Sequence, residues 1–151
     1  MLIRSSPKIC VTPRLSGVGG MVSFQHELIK GLTQRGVSVT QDLSDLDYQA
    51  VLVIGGTRNL VGLWRARKRD IPVIQRLNGM NWLHRIRQPG RKLRTGWRHY
   101  LRSEYGNWIL SFIRERIASY IVYQSRFARN WWERAYGKLH TSNRIIYNGV
   151  D

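Results

Sequence analysis

Cysteine is almost absent from this sequence, and its scarcity excludes some classes of protein. Cys10 is the single cysteine in 151 residues, so no internal disulfide can form and a disulfide-stabilised secreted domain is excluded. Because Cys10 falls in an apolar run, we interpret it as a small buried hydrophobic residue. The four histidines share no metal-ligand spacing with one another or with the cysteine, so no metal site is predicted. The lone thiol favours a reducing, cytoplasmic location.

Long apolar runs are absent as well. The nearest candidate for a membrane span, residues 108–123, is interrupted by Arg114-Glu115-Arg116, so no transmembrane helix is predicted. A hydrophobic content of 42%, with six tryptophans and seven tyrosines, excludes a disordered chain. The length favours one domain that buries a sizeable core.

Acidic side chains are scarce: 9 stand against 25 basic ones, which gives a formal net charge of +16. The excess is concentrated in residues 61–105, where twelve basic and two acidic side chains give a net charge of +10. A run without any acid lies inside this segment and consists of Arg85, Arg87, Arg91, Lys92, Arg94, Arg98 and Arg102. Such a surface attracts phosphate groups on lipids, nucleic acids or sugar carriers. We therefore expect an anionic partner, the favoured one being the inner face of the cell membrane.

Strand and helix patterns alternate along the chain. Short β-branched or apolar runs predict strands near residues 9–12, 37–41, 50–54, 72–77, 120–123 and 144–147. Apolar residues at helical spacing predict helices near residues 20–36, 60–69, 97–118 and 126–136. The alternation predicts an α/β fold, a Rossmann-like, doubly wound parallel sheet with helices on both faces and right-handed crossovers.

One predicted helix carries large apolar residues at helical spacing. They are Trp97, Leu101, Tyr105, Trp108 and Phe112. Because such a stripe usually faces the interior of a protein, these residues are predicted to belong to the core.

A glycine-rich loop follows the first predicted strand. Gly17, Gly19 and Gly20 lie just before the first helix, where backbone N–H groups and a helix N-terminus approach an anion closely. The alternative is a turn that needs glycine for positive φ angles. The loop lacks the third small residue of a dinucleotide fingerprint, and no Gly-Lys-Ser/Thr follows as in a P-loop. The pattern therefore predicts phosphate or sugar contact without naming the ligand.

In doubly wound sheets the ligand binds at the carboxyl ends of the strands, which selects residues 13–20, 55–59, 78–85 and 124–126. Trp82 in the third loop is suited to stacking on a sugar ring or to entering a membrane interface. Ser125 in the fourth loop has no partner for nucleophilic chemistry, so a helix cap is the alternative to ligand contact. Asp42 matches the place of a ribose-binding acid in dinucleotide folds, with a solvated loop acid as the alternative.

The order and spacing of several segments resemble the family 4 retaining glycosyltransferases of GT-B fold. The segments are Lys8-Ile-Cys-Val-Thr-Pro-Arg-Leu-Ser-Gly-Val-Gly-Gly-Met-Val, Leu28-Ile-Lys-Gly-Leu-Thr-Gln-Arg-Gly-Val-Ser-Val39, Ile71-Pro-Val-Ile-Gln-Arg-Leu-Asn-Gly79, Tyr123-Gln-Ser-Arg-Phe127 and Arg144-Ile-Ile-Tyr-Asn-Gly-Val-Asp151. They extend over nearly the whole chain.

The resemblance implies a two-domain enzyme whose active site lies between two Rossmann-like domains. Residues 1–151 correspond to the N-terminal, acceptor-side domain, and the C-terminal donor-binding domain with its catalytic groups is absent from this chain. The resemblance therefore implies no catalytic residue here and no activity for this chain alone. The complete enzyme would transfer a hexose from a nucleotide-sugar, without metal or other cofactor, to a glycan or lipid-linked acceptor, as in polysaccharide biosynthesis.

The resemblance also assigns roles to individual residues. Where the family often has a histidine that contacts the transferred sugar, this sequence has Asn78-Gly79, and asparagine hydrogen-bonds a hydroxyl but does not titrate. The candidate donor- or acceptor-binding residues are Gly17, Gly19, Gly20, Asn78, Gly79, Trp82, Arg85 and Ser125. The candidate interdomain residues are Asn148, Gly149 and Asp151.

Two other functions remain open from the residues alone. The charge of +16 fits a nucleic-acid-binding domain, although no reading motif is recognisable and a buried parallel sheet offers no stacking face, so this partner is disfavoured. The glycine-rich loop and Asp42 fit a dinucleotide-binding Rossmann domain.

Overall fold

The computed structural model describes residues 6–45, 47–81 and 97–148. Within them the strands are β1 (Lys8–Thr12), β2 (Ser38–Thr40), β3 (Ala50–Ile54), β4 (Val73–Leu77), β5 (Tyr120–Tyr123) and β6 (Asn143–Ile145). The helices are α1 (Gly20–Gln34), α2 (Leu60–Lys68), α3 (Trp97–Phe112), which continues as a π-helical turn (Ile113–Ile117), and α4 (Arg126–Tyr136). None of the helices in these ranges is long and apolar enough to cross a membrane.

The six strands form one parallel sheet in the order β2-β1-β3-β4-β5-β6, so the predicted Rossmann-like α/β fold is confirmed. The central strand β3 is a continuous apolar run because both of its faces are covered or partly covered. The prediction was wrong at the last strand, which begins at Asn143 and ends at Ile145. The register with β5 ends at Ile145, although the N–H of the exposed Ile146 still donates to the carbonyl of Tyr123 (2.9 Å). Apolar character alone therefore misplaced the bounds of the strand.

The first helix begins at Gly20, and a glycine of positive φ lies just outside each of its ends. Gly19, with φ of 151°, precedes α1, and Gly36, with φ of 75°, follows it. The N–H of Gly36 donates to the carbonyl of Thr33, and the N–H of Val37 donates to the carbonyl of Leu32. These two bonds form a Schellman motif, which needs a left-handed residue at Gly36 and directs the chain into β2.

Three helices pack on one face of the sheet. The larger core cluster joins β1, β3 and β4 to α2, α3 and the π-helical turn, with Val53, Leu63 and Ile113 completely buried. A second cluster joins Leu77 and Tyr123 to α4. Helix α1 contributes to neither cluster, because the crossover from β1 to β2 runs in the opposite direction and places it on the other face. Within the described ranges, α1 is therefore the one helix on the face opposite α2, α3 and α4.

The large residues of α3 do not face the core, and that prediction was wrong. Trp97 is 70% exposed and Trp108 is 52% exposed, whereas Asn107, Ile109 and Ser111 are buried against the rest of the protein. Phe112 alone among the five large residues packs against the core. The buried side of α3 includes polar residues because they form hydrogen bonds with the neighbouring backbone. The Asn107 amide both donates to and accepts from the backbone of Asn81. Periodicity identified a face of the helix but not which face is buried.

Burial makes Cys10 a chemical probe of folding. The thiol is inaccessible in β1, and desolvation, together with the nearby Asp42 and Asp45, raises its pKa to about 11. We expect the folded chain to react with a thiol reagent at pH 8 more slowly than the denatured chain, by on the order of a hundredfold or more, because thiolate is scarce and shielded. The associated stability is complete below the unfolded pKa and is lost as the pH rises toward 11. Comparable rates in buffer and denaturant would contradict the buried position.

Candidate functional site at the carboxyl edge of the sheet

The order of the strands defines a crevice at the carboxyl edge of the sheet. The chain passes from β1 to β2 on one side and then crosses to β3 on the other, so β1 and β3 flank the topological switch point. Ligands of doubly wound sheets bind outside the carboxyl ends at this point. The loops that meet there are residues 13–19 after β1 and residues 55–59 after β3.

The loop after β1 has a fixed half and an open half. Gln25 is buried on α1 and holds the first half, since its amide nitrogen donates to the carbonyl of Pro13 (2.7 Å) and its oxygen accepts from the N–H of Leu15 (3.0 Å). The second half is exposed, and no atom lies within 4 Å of a Cβ built on Gly17, Gly19 or Gly20. No side chain caps α1, and no acid occupies its first turn. The open half therefore presents backbone N–H groups and a positive helix end to solvent.

The turn after β3 lies beside this loop. Gly55 has φ of 73°, and a Cβ built on it would lie 3.9 Å from the sulfur of Met21 in the first turn of α1. The amide nitrogen of the buried Gln75 donates to the carbonyls of Gly55 (2.8 Å) and Leu110 (3.1 Å). A side-chain hydrogen bond from β4 thus fixes the second wall of the crevice.

A buried arginine, which the sequence reasoning missed, lies at the same edge. Arg76 on β4 is 4% exposed and points to the α1 face, where its guanidinium lies 3.6 Å from the ring centroid of Phe24. It donates to the side-chain oxygen of Asn78 (2.7 Å) and to that of Asn148. One side chain therefore joins α1, the turn after β4 and the segment after β6.

Among the described residues, Arg76 is a buried cation without an anionic partner. Its two hydrogen-bond acceptors are neutral amides, and no carboxylate forms an ion pair with it in residues 6–45, 47–81 and 97–148. Desolvation by burial lowers the pKa of the guanidinium, although an arginine remains charged. Phe24 lies one helical turn from Gly20, and helical side chains lean toward the N-terminus. The charge of Arg76 and the positive end of α1 therefore favour the same ligand, an anion.

The structure brings some of the predicted site residues to this edge. Asn78 is held there on both sides, because its side chain accepts from Arg76 and its carbonyl accepts from the indole N–H of the buried Trp132 (2.8 Å). Gly79 is exposed in the same turn, with no atom within 4 Å of a Cβ built on it. Asn148, predicted to be interdomain, lies beside Arg76.

The remaining predicted site residues divide into a helix cap and positions outside the described ranges. The Ser125 hydroxyl accepts from the N–H of Ala128 (3.0 Å) at the start of α4, which is the predicted alternative. Trp82, Arg85, Gly149 and Asp151 lie outside the residues that the structure describes.

Asp42, the candidate for a ribose contact, is engaged locally. Its carboxylate accepts from the backbone N–H (2.9 Å) and the hydroxyl (2.6 Å) of Ser44, and these bonds lower its pKa. The geometry is an Asx turn, which satisfies one carboxylate oxygen without a ligand.

No family model matches this chain, and no curated protein matches it either.

Among the residues with described positions, no group of three or more His, Cys, Asp or Glu side chains is arranged to hold a metal ion. The signal that could have found Arg76 is its place in the sequence: a charged residue inside a buried central strand of a parallel sheet, two residues before the turn. The supporting roles of Gln25 and Asn107 carry no comparable signal, since polar residues on helices are ordinarily solvated.

Proposed function

We propose that this chain is the acceptor-side domain of a retaining glycosyltransferase with GT-B architecture, and that its carboxyl edge binds the anionic part of a nucleotide-sugar or of a phosphate-bearing acceptor. The observation that carries the proposal is Arg76, a buried cation without a carboxylate partner in the described ranges, on the same edge as the uncapped N-terminus of α1. The resemblance of the ordered sequence segments supports the reaction class. In this proposal a second domain supplies the catalytic groups and the other donor contacts, the carboxyl edge of this chain contributes the contacts to the donor diphosphate, and the chain alone does not transfer sugar.

The arrangement suits recognition of a diphosphate. Backbone N–H groups around Gly19 and Gly20 donate to phosphate oxygens without a side chain in the way, and Arg76 contributes a full positive charge from the buried side. Electrostatic support of a leaving diphosphate is a large part of what a sugar-transfer site must provide.

Two observations disfavour the dinucleotide alternative. Residues 13–19 separate β1 from α1, a longer connection than the tight turn of the dinucleotide fingerprint. Asp42, which would contact the ribose, is held by Ser44. The nucleic-acid alternative has no specific observation in its favour beyond the charge.

The test is a calorimetric titration of the chain with uridine and guanosine diphosphate sugars, with NAD and with a single-stranded oligonucleotide. We expect affinity for at least one nucleotide-sugar and weaker binding of NAD. Replacement of Gly20 by valine is expected to weaken that binding by about tenfold or more, since a branched side chain blocks charge-assisted backbone hydrogen bonds. The fold should tolerate the change, because Gly20 has no positive φ and open space surrounds its Cβ position.

Gly20→Ala is the matched control, because a methyl group obstructs the loop less than an isopropyl group does. Affinity should fall in the order glycine, alanine, valine, while the thermal midpoint stays nearly constant. Equal affinity in all three proteins would show that the loop is only a turn. Tight binding of NAD or the oligonucleotide with none of the sugars would overturn the proposed function.

A further inference from the structure

Helix α3 presents an exposed apolar surface, here called the aromatic stripe and consisting of Trp97, Leu101, Tyr105 and Trp108. Their exposed fractions are 70%, 53%, 51% and 52%. At 100° per residue the four side chains fall within an arc of about 80°, and they extend over about 16 Å of the helix axis. A continuous patch of this kind on a domain surface marks an interaction site.

The first half of α3 extends beyond the carboxyl edge of the sheet. Asn107 is the point at which the helix is fastened to the turn after β4, through its two hydrogen bonds with Asn81. The ten preceding residues therefore extend about 15 Å further. Every residue from Trp97 to Arg102 is exposed, as a projecting helix end requires. The aromatic stripe thus begins on the side of the molecule where the candidate site lies.

Positive charge accompanies the aromatic stripe. Arg98 and Arg102 are exposed and lie along one border of it, and the Arg98 guanidinium is 5.8 Å from the ring centroid of Trp97. Residues 61–105 as a whole carry twelve basic and two acidic side chains. Apolar rings bordered by arginines are the composition of a helix that lies in the interface of an anionic bilayer.

We propose that the aromatic stripe docks this protein onto an anionic lipid bilayer, with Trp97 and Trp108 in the interfacial layer and Arg98 and Arg102 against the headgroups. Tryptophan and tyrosine suit that layer because one end of each side chain is apolar and the other is polar. Docking would bring the carboxyl edge of the sheet close to the membrane surface. The proposal rests on the surface of α3 and stands independently of the proposed sugar transfer.

Other occupants fit the aromatic stripe less well. A second copy of the chain carries the same charge of +16, so it is repelled. Stacked nucleobases need free ring faces, but two of the three rings in the stripe are engaged with neighbouring rings: Tyr105 stacks on Trp108 (6.1 Å, 18°) and Trp108 on Phe112 (5.4 Å, 29°). Leu101, within the stripe, offers a base no stacking face either.

The experiment is co-sedimentation of the full chain with phosphatidylcholine vesicles, with and without phosphatidylglycerol, at low and high salt. Binding is expected with the anionic vesicles at low salt and should weaken with salt. Trp108→Ser should weaken binding about tenfold through lost apolar burial. Trp64→Ser is its matched control, since Trp64 on α2 is a tryptophan of nearly equal exposure, 49%, outside the stripe; it should bind like the wild type.

A charge-matched pair of double variants tests the electrostatic contribution. Arg98→Glu with Arg102→Glu should weaken binding by at least about tenfold. Lys30→Glu with Arg144→Glu changes the net charge equally, but at positions on α1 and β6 instead of α3, and should have less effect. Unchanged slow labelling of Cys10 confirms the fold of each variant. The proposal would be overturned by equal effects within either matched pair of variants, or by binding that does not depend on lipid charge. It would also be overturned if the protein bound an oligonucleotide through the stripe but did not bind vesicles.

Discussion

Arg76→Met is expected to weaken nucleotide-sugar binding by on the order of a hundredfold while leaving the free energy of unfolding within about 1 kcal/mol of the wild type. In a desolvated site, the loss of one preorganised cationic donor weakens the binding of a polyanion by about this factor. The stability change is small because methionine removes the desolvation cost of a buried charge that has no carboxylate partner within the described ranges. The freed oxygens of Asn78 and Asn148 lie near solvent and regain hydrogen bonds from water. Titration calorimetry and chemical denaturation give the two quantities.

Arg114→Met is the matched control, because Arg114 is also a buried arginine but lies away from the carboxyl-edge loops. Its guanidinium donates to the Tyr123 hydroxyl (3.2 Å) and to the carbonyl of Gly137 (2.7 Å), which join the π-helical turn to β5 and the end of α4. We expect its replacement to lower stability by about 1–3 kcal/mol, because the buried Tyr123 hydroxyl loses its donor, and to leave affinity unchanged. If Arg76→Met instead destabilised the fold and spared binding, Arg76 would be structural and the proposed anion site would be wrong.

Apolar runs, glycine positions and helix periodicity were enough to predict the sheet. Ala50–Ile54 and Tyr120–Tyr123 match the predicted bounds because each is a short, uninterrupted apolar or aromatic run. The spacing of apolar residues predicted less well in segments whose residues are only partly buried. Ile146 and Tyr147 are apolar yet exposed, and the aromatic stripe has helical spacing yet faces solvent. The spacing of apolar residues identifies one side of a helix, but the neighbours that cover that side come only from the fold.

The candidate site was predicted in part. The glycine-rich loop and Asn78 were found, since loops at the carboxyl ends of parallel strands converge once the strand order is assumed. Arg76 was missed because a strand pattern is judged by its apolar residues, and one charged residue reads as an exception rather than a feature. The contact between Arg76 and Asn148 joins residues 72 positions apart, and nothing in either local sequence indicates it.

Trp132→Ala is expected to be the most destabilising single change on α4, with a loss of about 3–5 kcal/mol in the free energy of unfolding. The side chain is completely buried, stacks on Tyr136 (5.4 Å) and donates its indole N–H to the carbonyl of Asn78. Truncation leaves a cavity between α4 and the sheet and removes that donor. For a chain of this length the loss corresponds to a fall of roughly 6–20 °C in the thermal midpoint, measurable by calorimetry.

Two further variants separate packing from hydrogen bonding. Trp132→Phe keeps an aromatic ring against Tyr136 but cannot donate to Asn78, so about 1–3 kcal/mol should be lost, together with some affinity for the nucleotide-sugar as the turn after β4 loosens. Phe127→Ala removes a ring that is 64% exposed on the same helix and stacks on Trp131 (5.7 Å), and should cost no more than about 1.5 kcal/mol. If Trp132→Phe bound the sugar nucleotide as tightly as the wild type, the indole would serve the core alone, and the turn that holds Asn78 would be positioned by Arg76 instead.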